Sequence, residues 1–320
     1  SRHFVNARTF RNLPATPFIG TRGSPLALWQ AEHVRDRLAE HHGSERGAAD
    51  LSVISTSGDR ILDAPLANFG GKGLFTKEID EALLRGDIAL AVHSMKDLPT
   101  QLPEGLSLSA VLPRADVRDA FLSPVAVSLE ALPEGSVVGT SSLRRAAQVK
   151  RARPDLRVID FRGNVQTRLR KLSEGVADAT LLAKAGLDRL ELSDAATSVL
   201  PIGDMLPAVA QGAIGVVTRE GDADMRDLLQ PLNDAATETA VTCERAFLAE
   251  LDGSCRTPIA GLATVDGEAI HFRGLILSPD GAEWHEVEIT GSIAEADALG
   301  RRAGEDVRTR AGPAFIEKLV

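Results

Sequence analysis

Four times along the chain an apolar run breaks at a polar turn and passes into a stretch with helical spacing, and this alternation restricts the fold more than any other feature. "TPFIGTR" (16–22) reads as a strand and leads into "SPLALWQAEHVRDRLAEHHG", where Ser24 is set as an N-cap and Pro25 takes the first helical position. "GSVVGTSSLRRAAQVKRA" repeats strand, hydroxyl-rich turn and helix. "RVIDFRGNVQTRLRKLSEG" does so again, with Asn164 as cap and Val165, Leu169 and Leu172 as its buried stripe; "ADATLLAKAGLDRL" is the fourth copy. Between the first and second copies, "LSVIST" (51–56) and "DIALAVHS" (87–94) read as further strands around the helix "LFTKEIDEALLRG", which Gly86 stops. Such alternation predicts an α/β fold with doubly wound parallel sheets, in which ligands bind at the carboxyl ends of strands against helix N-termini.

Arg22, Ser24, Ser94, Lys96, Thr140, Ser141, Ser142, Arg144, Arg145, Arg162, Arg168 and Arg189 all fall at or just after such strand ends. They form two clusters on separate βα units, which predicts two α/β lobes facing one cleft. From about residue 235 the pattern changes. A long helix (about 235–251) leads to a loop with a cysteine, three strands follow with turns at Asp266-Gly267 and Asp280-Gly281, and a last helix closes the chain. This predicts a third, smaller α+β domain with a three-stranded antiparallel sheet.

Charge narrows the range of ligands. The chain carries −9 overall, which disfavours general affinity for nucleic acid or anionic membrane. Yet between Thr140 and Lys171 ten Lys or Arg face only Asp155 and Asp160, about +8 in 32 residues. Exposed helix faces account for Lys150, Arg151 and Arg170, but not for arginines at the loop ends of strands. An anionic ligand is expected there. No apolar run reaches the roughly 18–20 residues that cross a bilayer. The first 15 residues hold Arg2, Arg8 and Arg11 without an apolar core, so they read as a flexible leader on a cytoplasmic protein. Seven histidines lie without ligand spacing, and no metal site is expected.

Single motifs sharpen the chemistry, each beside a plainer alternative. "GTSSLRRAAQ" (139–148) offers hydroxyls and free N–H groups at a helix start, then two adjacent guanidiniums, a grip for carboxylate or phosphate. "FRGNVQTRL" (161–169) adds Arg162 and Gly163 in a turn and Arg168 one helical turn further. Either could be an ordinary cap with surface arginines; both in adjacent units favour a binding face. In "HSMKDLP" (93–99), Lys96 and Asp97 could neutralise each other. Alternatively Asp97 serves as a general acid/base or cation stabiliser, while His93 packs locally. "NFGGKGLFTKE" (68–78) lacks Walker A spacing and reads as a lid carrying Lys72 and Phe75 over the cleft.

The two cysteines separate by position. Cys243 shares helical spacing with Ala236, Ala240, Phe247 and Leu251 and reads as core. Cys255, in "LDGSCRTPIAG", stands past Gly253 beside Arg256, where a cation favours thiolate. No C-x-x-C and no histidine partner accompany it. The reading left is a thiol that carries something covalently, aimed at a cleft lined with arginines.

"GTRGSPLALWQ", "GGKGLFTKEID", "AVHSMKDLP", "GTSSLRRAAQ", "FRGNVQTRLRKL" and "ERAFLAELDGSCRTPIAG" occur in this order from about residue 17 to the C-terminus and resemble the porphobilinogen deaminase (hydroxymethylbilane synthase) family. The resemblance implies an enzyme that joins four porphobilinogen molecules head to tail into hydroxymethylbilane, releasing ammonia each time. It implies a dipyrromethane cofactor held by a thioether to Cys255, and Asp97 as the catalytic carboxylate that hydrogen-bonds pyrrole nitrogens. By the same likeness Arg22, Ser24, Lys96, Ser142, Arg144, Arg145, Arg162, Arg168 and Arg189 hold acetate and propionate groups, and Gln211 lies near the domain crossover. Lys72, Phe75, Ser94, Thr140, Ser141 and Gly163 join the candidate binding set.

The expected architecture is periplasmic-binding-protein-like: a leader (1–15), a discontinuous first lobe (16–112 and 213–230), an arginine-rich second lobe (117–207) and a third domain (234–320). The expected state is a monomer that passes its product to a tetrapyrrole-cyclising enzyme. A non-catalytic two-lobed anion binder, either a solute-binding protein or a sensor, is the alternative; it needs no Cys255.

Overall fold

The computed structural model describes residues 16–60, 74–253 and 257–319. The chain begins with β1 (Phe18–Thr21), α1 (Pro25–Arg46), β2 (Asp50–Val53), the single turn α2 (Ser57–Arg60), α3 (Lys77–Arg85), β3 (Leu90–Ser94) and β4 (Leu106–Val111). It crosses to a second lobe through β5 (Asp119–Leu122). There it forms β6 (Val137–Gly139), α4 (Leu143–Ala152), β7 (Arg157–Ile159), α5 (Val165–Ser173), β8 (Ala179–Ala183), α6 (Lys184–Arg189) and β9 (Ser198–Val199). It returns as β10 (Ile214–Arg219) and α7 (Ala223–Leu229). It ends in α8 (Ala235–Glu250), β11 (Ile259–Asp266), β12 (Ala269–Leu277), β13 (Trp284–Ser292), α9 (Ala296–Ala311) and α10 (Pro313–Glu317).

Two five-stranded sheets share one plan, β2-β1-β3-β10-β4 and β7-β6-β8-β5-β9, beside a three-stranded antiparallel sheet β11-β12-β13. The sheets are mixed rather than wholly parallel as expected. β10 runs against β3 and β4, and β5 runs against β8 and β9. The reason is connectivity. Each reversed strand belongs to a segment travelling between lobes, and it enters its sheet as an extended strand without a crossover helix. The hydroxyl-rich turns behave as local chemistry requires. Ser24 accepts from Ala27 N at 3.3 Å, Ser142 from Arg145 N at 3.2 Å and Asn164 from Thr167 N at 2.8 Å, so three helices start where their caps stand.

Each sheet is covered on both faces. Ile19, Leu90, Val92 and Val216 pack under Ala31, Val34 and Leu38 of α1. The opposite face, with Ala91, Met95 and Val217, joins Val241 and Phe247 of α8 and Phe272 of β12 in one core, so the third domain is packed onto the first lobe. In the second lobe Phe121 faces Val138, Val149 and Leu181, while its neighbours Ala120 and Leu122 face Phe161 and Leu187, the alternation of a strand buried on both sides. The third domain also touches the second lobe. At the hairpin tip Gly281 (φ +71°) lies so close to α4 that a Cβ would meet the Ala147 carbonyl at 2.4 Å.

The two crossing segments, 112–118 and 200–213, run side by side. Ala115 N donates to Gly212 O at 3.0 Å, and Arg114 Nε to Gln211 O at 2.9 Å. The fully buried Glu244 of α8 grips both. It accepts from Arg114 Nη1 and Nη2 at 2.6 and 2.9 Å, from Ala210 N at 2.7 Å, and from Ala263 N of β11 at 2.9 Å. One carboxylate of α8 thus ties the two crossing segments to each other and to β11. Cys243, one residue before it, is buried as expected.

Candidate active site

The candidate residues gather at the carboxyl ends of strands in both lobes. From the first lobe, Arg22 follows β1, and Lys96 and Asp97 follow β3 in a single 3-10 turn, Met95–Asp97. From the second, Thr140, Ser141 and Ser142 follow β6, and Arg162 and Gly163 follow β7. The two clusters meet electrostatically. Burial, then the charge of Arg145, lowers the Lys96 pKa to about 8, against the pull of Asp97. Burial, then Arg145, lowers that of Arg168 to about 10, again against Asp97. Lys96 and Asp97 of one lobe are therefore close enough to Arg145 and Arg168 of the other to share a field.

With Arg144 and Asp119, which also act on Lys96, four cations face two carboxylates and the cluster is positive. The Arg168 side chain makes no hydrogen bond or ion pair among the described residues, and its Nε is buried without a partner. The Asp97 carboxylate likewise accepts no hydrogen bond among the described residues. Buried donors normally find acceptors. Here the Nε atoms of Arg168 and Arg144 have none among the described residues.

Other candidates are already engaged within the protein. Arg22 donates Nε to both oxygens of Asp59, at 3.0 and 3.2 Å, and its guanidinium lies 4.3 Å from the Phe75 ring centroid. Burial works against the Asp59 charge, but hydrogen bonds from Arg22 and Thr56 hold its pKa below the ordinary value. The Ser24 and Ser142 hydroxyls cap helices. Ser141 donates to Asp160 and accepts from Phe161 N, Thr140 accepts from Ser142 N at 3.2 Å, and Ser94 accepts from Gln30 Nε2 at 3.0 Å. Gly163 (φ +120°) must be glycine, since a Cβ would also meet Thr167 at 2.6 Å. Lys171 Nζ fixes the same turn through the Arg162 carbonyl at 3.0 Å. Arg189 donates to Gly212 O at 2.9 Å and lies 5.6 Å from the Trp29 ring, so it bridges α6, α1 and a crossing segment. His93 is buried; burial, then the charge of Arg22, lowers its pKa to about 4, which keeps it neutral. Lys72 and Cys255 lie outside the described residues.

Asp119 was not singled out in the sequence. It has no solvent exposure, and its carboxylate accepts from Arg144 Nη1 at 2.8 Å, Arg145 Nε and Nη2 at 3.2 and 2.9 Å, and Gln211 Nε2 at 3.1 Å. Burial opposes its charge, yet the two guanidiniums hold its pKa far below the usual carboxylate range. Arg144 also donates to Leu206 O at 2.9 Å and turns inward, while Gln211 donates to Val117 O at 2.8 Å. Arg144 braces the crossing segments through Nη1 while its Nε stays buried without a partner among the described residues, and Arg145 turns Nε and Nη2 onto Asp119 alone. The available signal was an acid directly before the apolar run "AFL". A cavity of about 440 Å³ between α4, β12 and β13 is lined by none of the candidates.

The model of "Porphobilinogen deaminase, dipyromethane cofactor binding domain" matches residues 18–227, and that of "Porphobilinogen deaminase, C-terminal domain" matches 238–309. A chloroplastic porphobilinogen deaminase from Pisum sativum is 57% identical over 98% of this chain and 86% of its own length. The Nitrobacter hamburgensis porphobilinogen deaminase is 58% identical over 93% of this chain and 94% of its own. Among solved structures, the methionine-binding protein MetQ covers 67% of this chain and 89% of its own at 16% identity and a TM-score of 0.42, a likeness too slight to bear on function. Matched in both its lobes and its C-terminal domain, the chain belongs to the porphobilinogen deaminase family.

Proposed function

We propose that this chain is a hydroxymethylbilane synthase, condensing four porphobilinogen molecules head to tail with release of ammonia, on a dipyrromethane cofactor bound through a thioether to Cys255. The observation that carries the reading is the positive cluster in which Lys96, Arg144, Arg145 and Arg168 are set against only Asp97 and Asp119, with a buried Arg168 Nε left for a ligand. Each porphobilinogen brings two carboxylates, so an acidic protein can hold this oligomer only with a local excess of guanidinium and ammonium groups. The residues present fit the cofactor for the same reason. The group, when bound, supplies the primer to which each new unit is added.

In this reading Lys96, Arg145 and Arg168 neutralise acetate and propionate groups, with Arg22, Arg162 and Arg189 at the margins. Ser24, Ser94, Thr140, Ser141 and Ser142 hold the turns that carry them. Asp97 accepts from the pyrrole N–H of the substrate and stabilises the positive charge that develops as ammonia leaves, an electrostatic role worth about 3 kcal/mol. Arg144 and Gln211 act at one remove, by fixing Asp119 and the crossing segments. Phe75, whose ring centroid lies 4.3 Å from the Arg22 guanidinium, adds an apolar wall beside that cation.

No described helix is long and apolar enough to cross a membrane. A cytoplasmic monomer that hands its product to a cyclising enzyme is part of the proposal, checked by fractionation and sedimentation. Intact mass tests the central claim: the protein should exceed its sequence mass by one dipyrromethane, and Cys255→Ser should lose that increment. Asp97→Asn should lower turnover at least a hundredfold while keeping the increment. A bare wild-type mass, or near-normal turnover of Asp97→Asn, would sink the reading.

A further inference from the structure

The turn that carries Asp97 is held from behind by a residue so far without a role. Met95 N donates to Ala213 O at 2.9 Å, and Leu98 N closes the turn on Met95 O at 3.1 Å. The next three carbonyls converge on one guanidinium of α8. Arg245 donates Nη1 to Leu98 O at 3.4 Å, and Nη2 to Pro99 O at 2.7 Å and Thr100 O at 3.4 Å. No carboxylate pairs with Arg245 among the described residues, and burial alone lowers its pKa to about 10. Sinking a guanidinium without an acid is unfavourable unless its donors are met, and here backbone oxygens meet them.

The location gives this clamp its meaning. Asp97 itself accepts no hydrogen bond among the described residues, so its direction is set by the backbone of its turn. That backbone is pinned by β10's approach on one side and by Arg245 on the other. We infer that Arg245 is a positioning residue for Asp97, fixing the carboxylate by holding the three carbonyls that follow its turn. This inference rests on the role proposed above for Asp97. Because α8 runs on from Arg245 to the loop that contains Cys255, one helix sets both the catalytic turn and the start of the anchoring loop.

The test is a double-mutant cycle in the holoenzyme. Arg245→Gln should lower kcat about tenfold with KM within twofold of wild type and the cofactor mass increment retained. Arg245→Lys, whose ammonium cannot span three carbonyls, should fall between the two. In an Asp97→Asn background, Arg245→Gln should cost less than a further twofold, since the group it aims is already gone. Losses that multiply, a kcat within twofold of wild type, or a rise in KM at constant kcat would overturn the inference. Should the Gln variant fail to fold, the Lys variant is judged by the same criteria. If Asp97→Asn keeps near-normal turnover, the proposed function fails as well. If Asp97→Asn is inactive while both Arg245 variants turn over normally, only the positioning role falls.

Discussion

Asp119→Asn keeps the shape of a β5 side chain and removes the charge on which two arginines converge. The wild-type carboxylate accepts from Arg144 at 2.8 Å, from Arg145 at 3.2 and 2.9 Å and from Gln211 at 3.1 Å. The guanidinium side chains are only 4% and 7% exposed, so water cannot replace the lost charge. An amide offers a single acceptor oxygen, and its NH₂ would face donors. Removing one partner of a buried ion pair costs about 3–5 kcal/mol. Losing two charge-assisted bonds at about 1.5–3 kcal/mol each gives a similar range. For a cooperative unit of a few hundred residues each kcal/mol moves Tm by about 2–4 °C, so a drop of roughly 10 °C is expected.

Melting the two proteins side by side across pH tests the cause as well as the size. The folded pKa of Asp119 lies below its unfolded value, so its contribution is complete above about pH 5 and is lost as pH falls through the folded value. The gap between wild type and variant should hold steady from about pH 5 to 8 and narrow only in stronger acid. A neutral-pH loss under about 3 °C, or a gap that widens on acidification, would refute the buried-charge argument.

Glu244→Gln strips the charge that binds Arg114 and the amides of Ala210 and Ala263. A loss of about 3–5 kcal/mol is expected, with limited proteolysis cutting first in 112–118 or 200–213; unchanged cleavage sites would count against Glu244 holding these segments. Lys96, lowered to about 8 by burial and then by Arg145, is charged below that pH and neutral above it. KM for the carboxylate substrate should therefore climb as pH passes about 8, and Lys96→Arg should abolish the climb; a flat wild-type profile from about pH 7 to 9 contradicts it. Cys243 is raised to about 12, chiefly by burial, and should ignore thiol reagents until the protein unfolds. Denatured protein should then release one reactive thiol; two would mean that Cys255 carries nothing.

What the sequence made legible was chemistry that acts over a few residues. Ser24, Ser142 and Asn164 could be read as caps because a hydroxyl or amide serves the N–H three positions on. Gly267 and Gly281 could be read as turns because φ > 0 is a local demand. The positive sector after β6 and β7 was visible as a count of charges. Asp119 was not, since its partners lie 25, 26 and 92 positions away and only the closed fold brings them together. β5 and β10 were missed for the same reason: a single strand without its own helix carries no βα signature, and its place in the sheet depends on the other lobe. Arg245 was not singled out either, since its carbonyl partners lie 145–147 positions away and only the packing of α8 against the turn after β3 brings them together.

The exchange of reversed strands between lobes also fixes the order in which this protein can be finished. β4 pairs only with β10, so the first sheet stays broken at its centre until residue 219 has been made, long after Val111. On the ribosome the first lobe must wait with an open strand edge while the entire second lobe emerges, and such edges invite aggregation. The distant pairing also makes for slow folding. Synthesis of this chain therefore leaves the β3 edge open until β10 has been made.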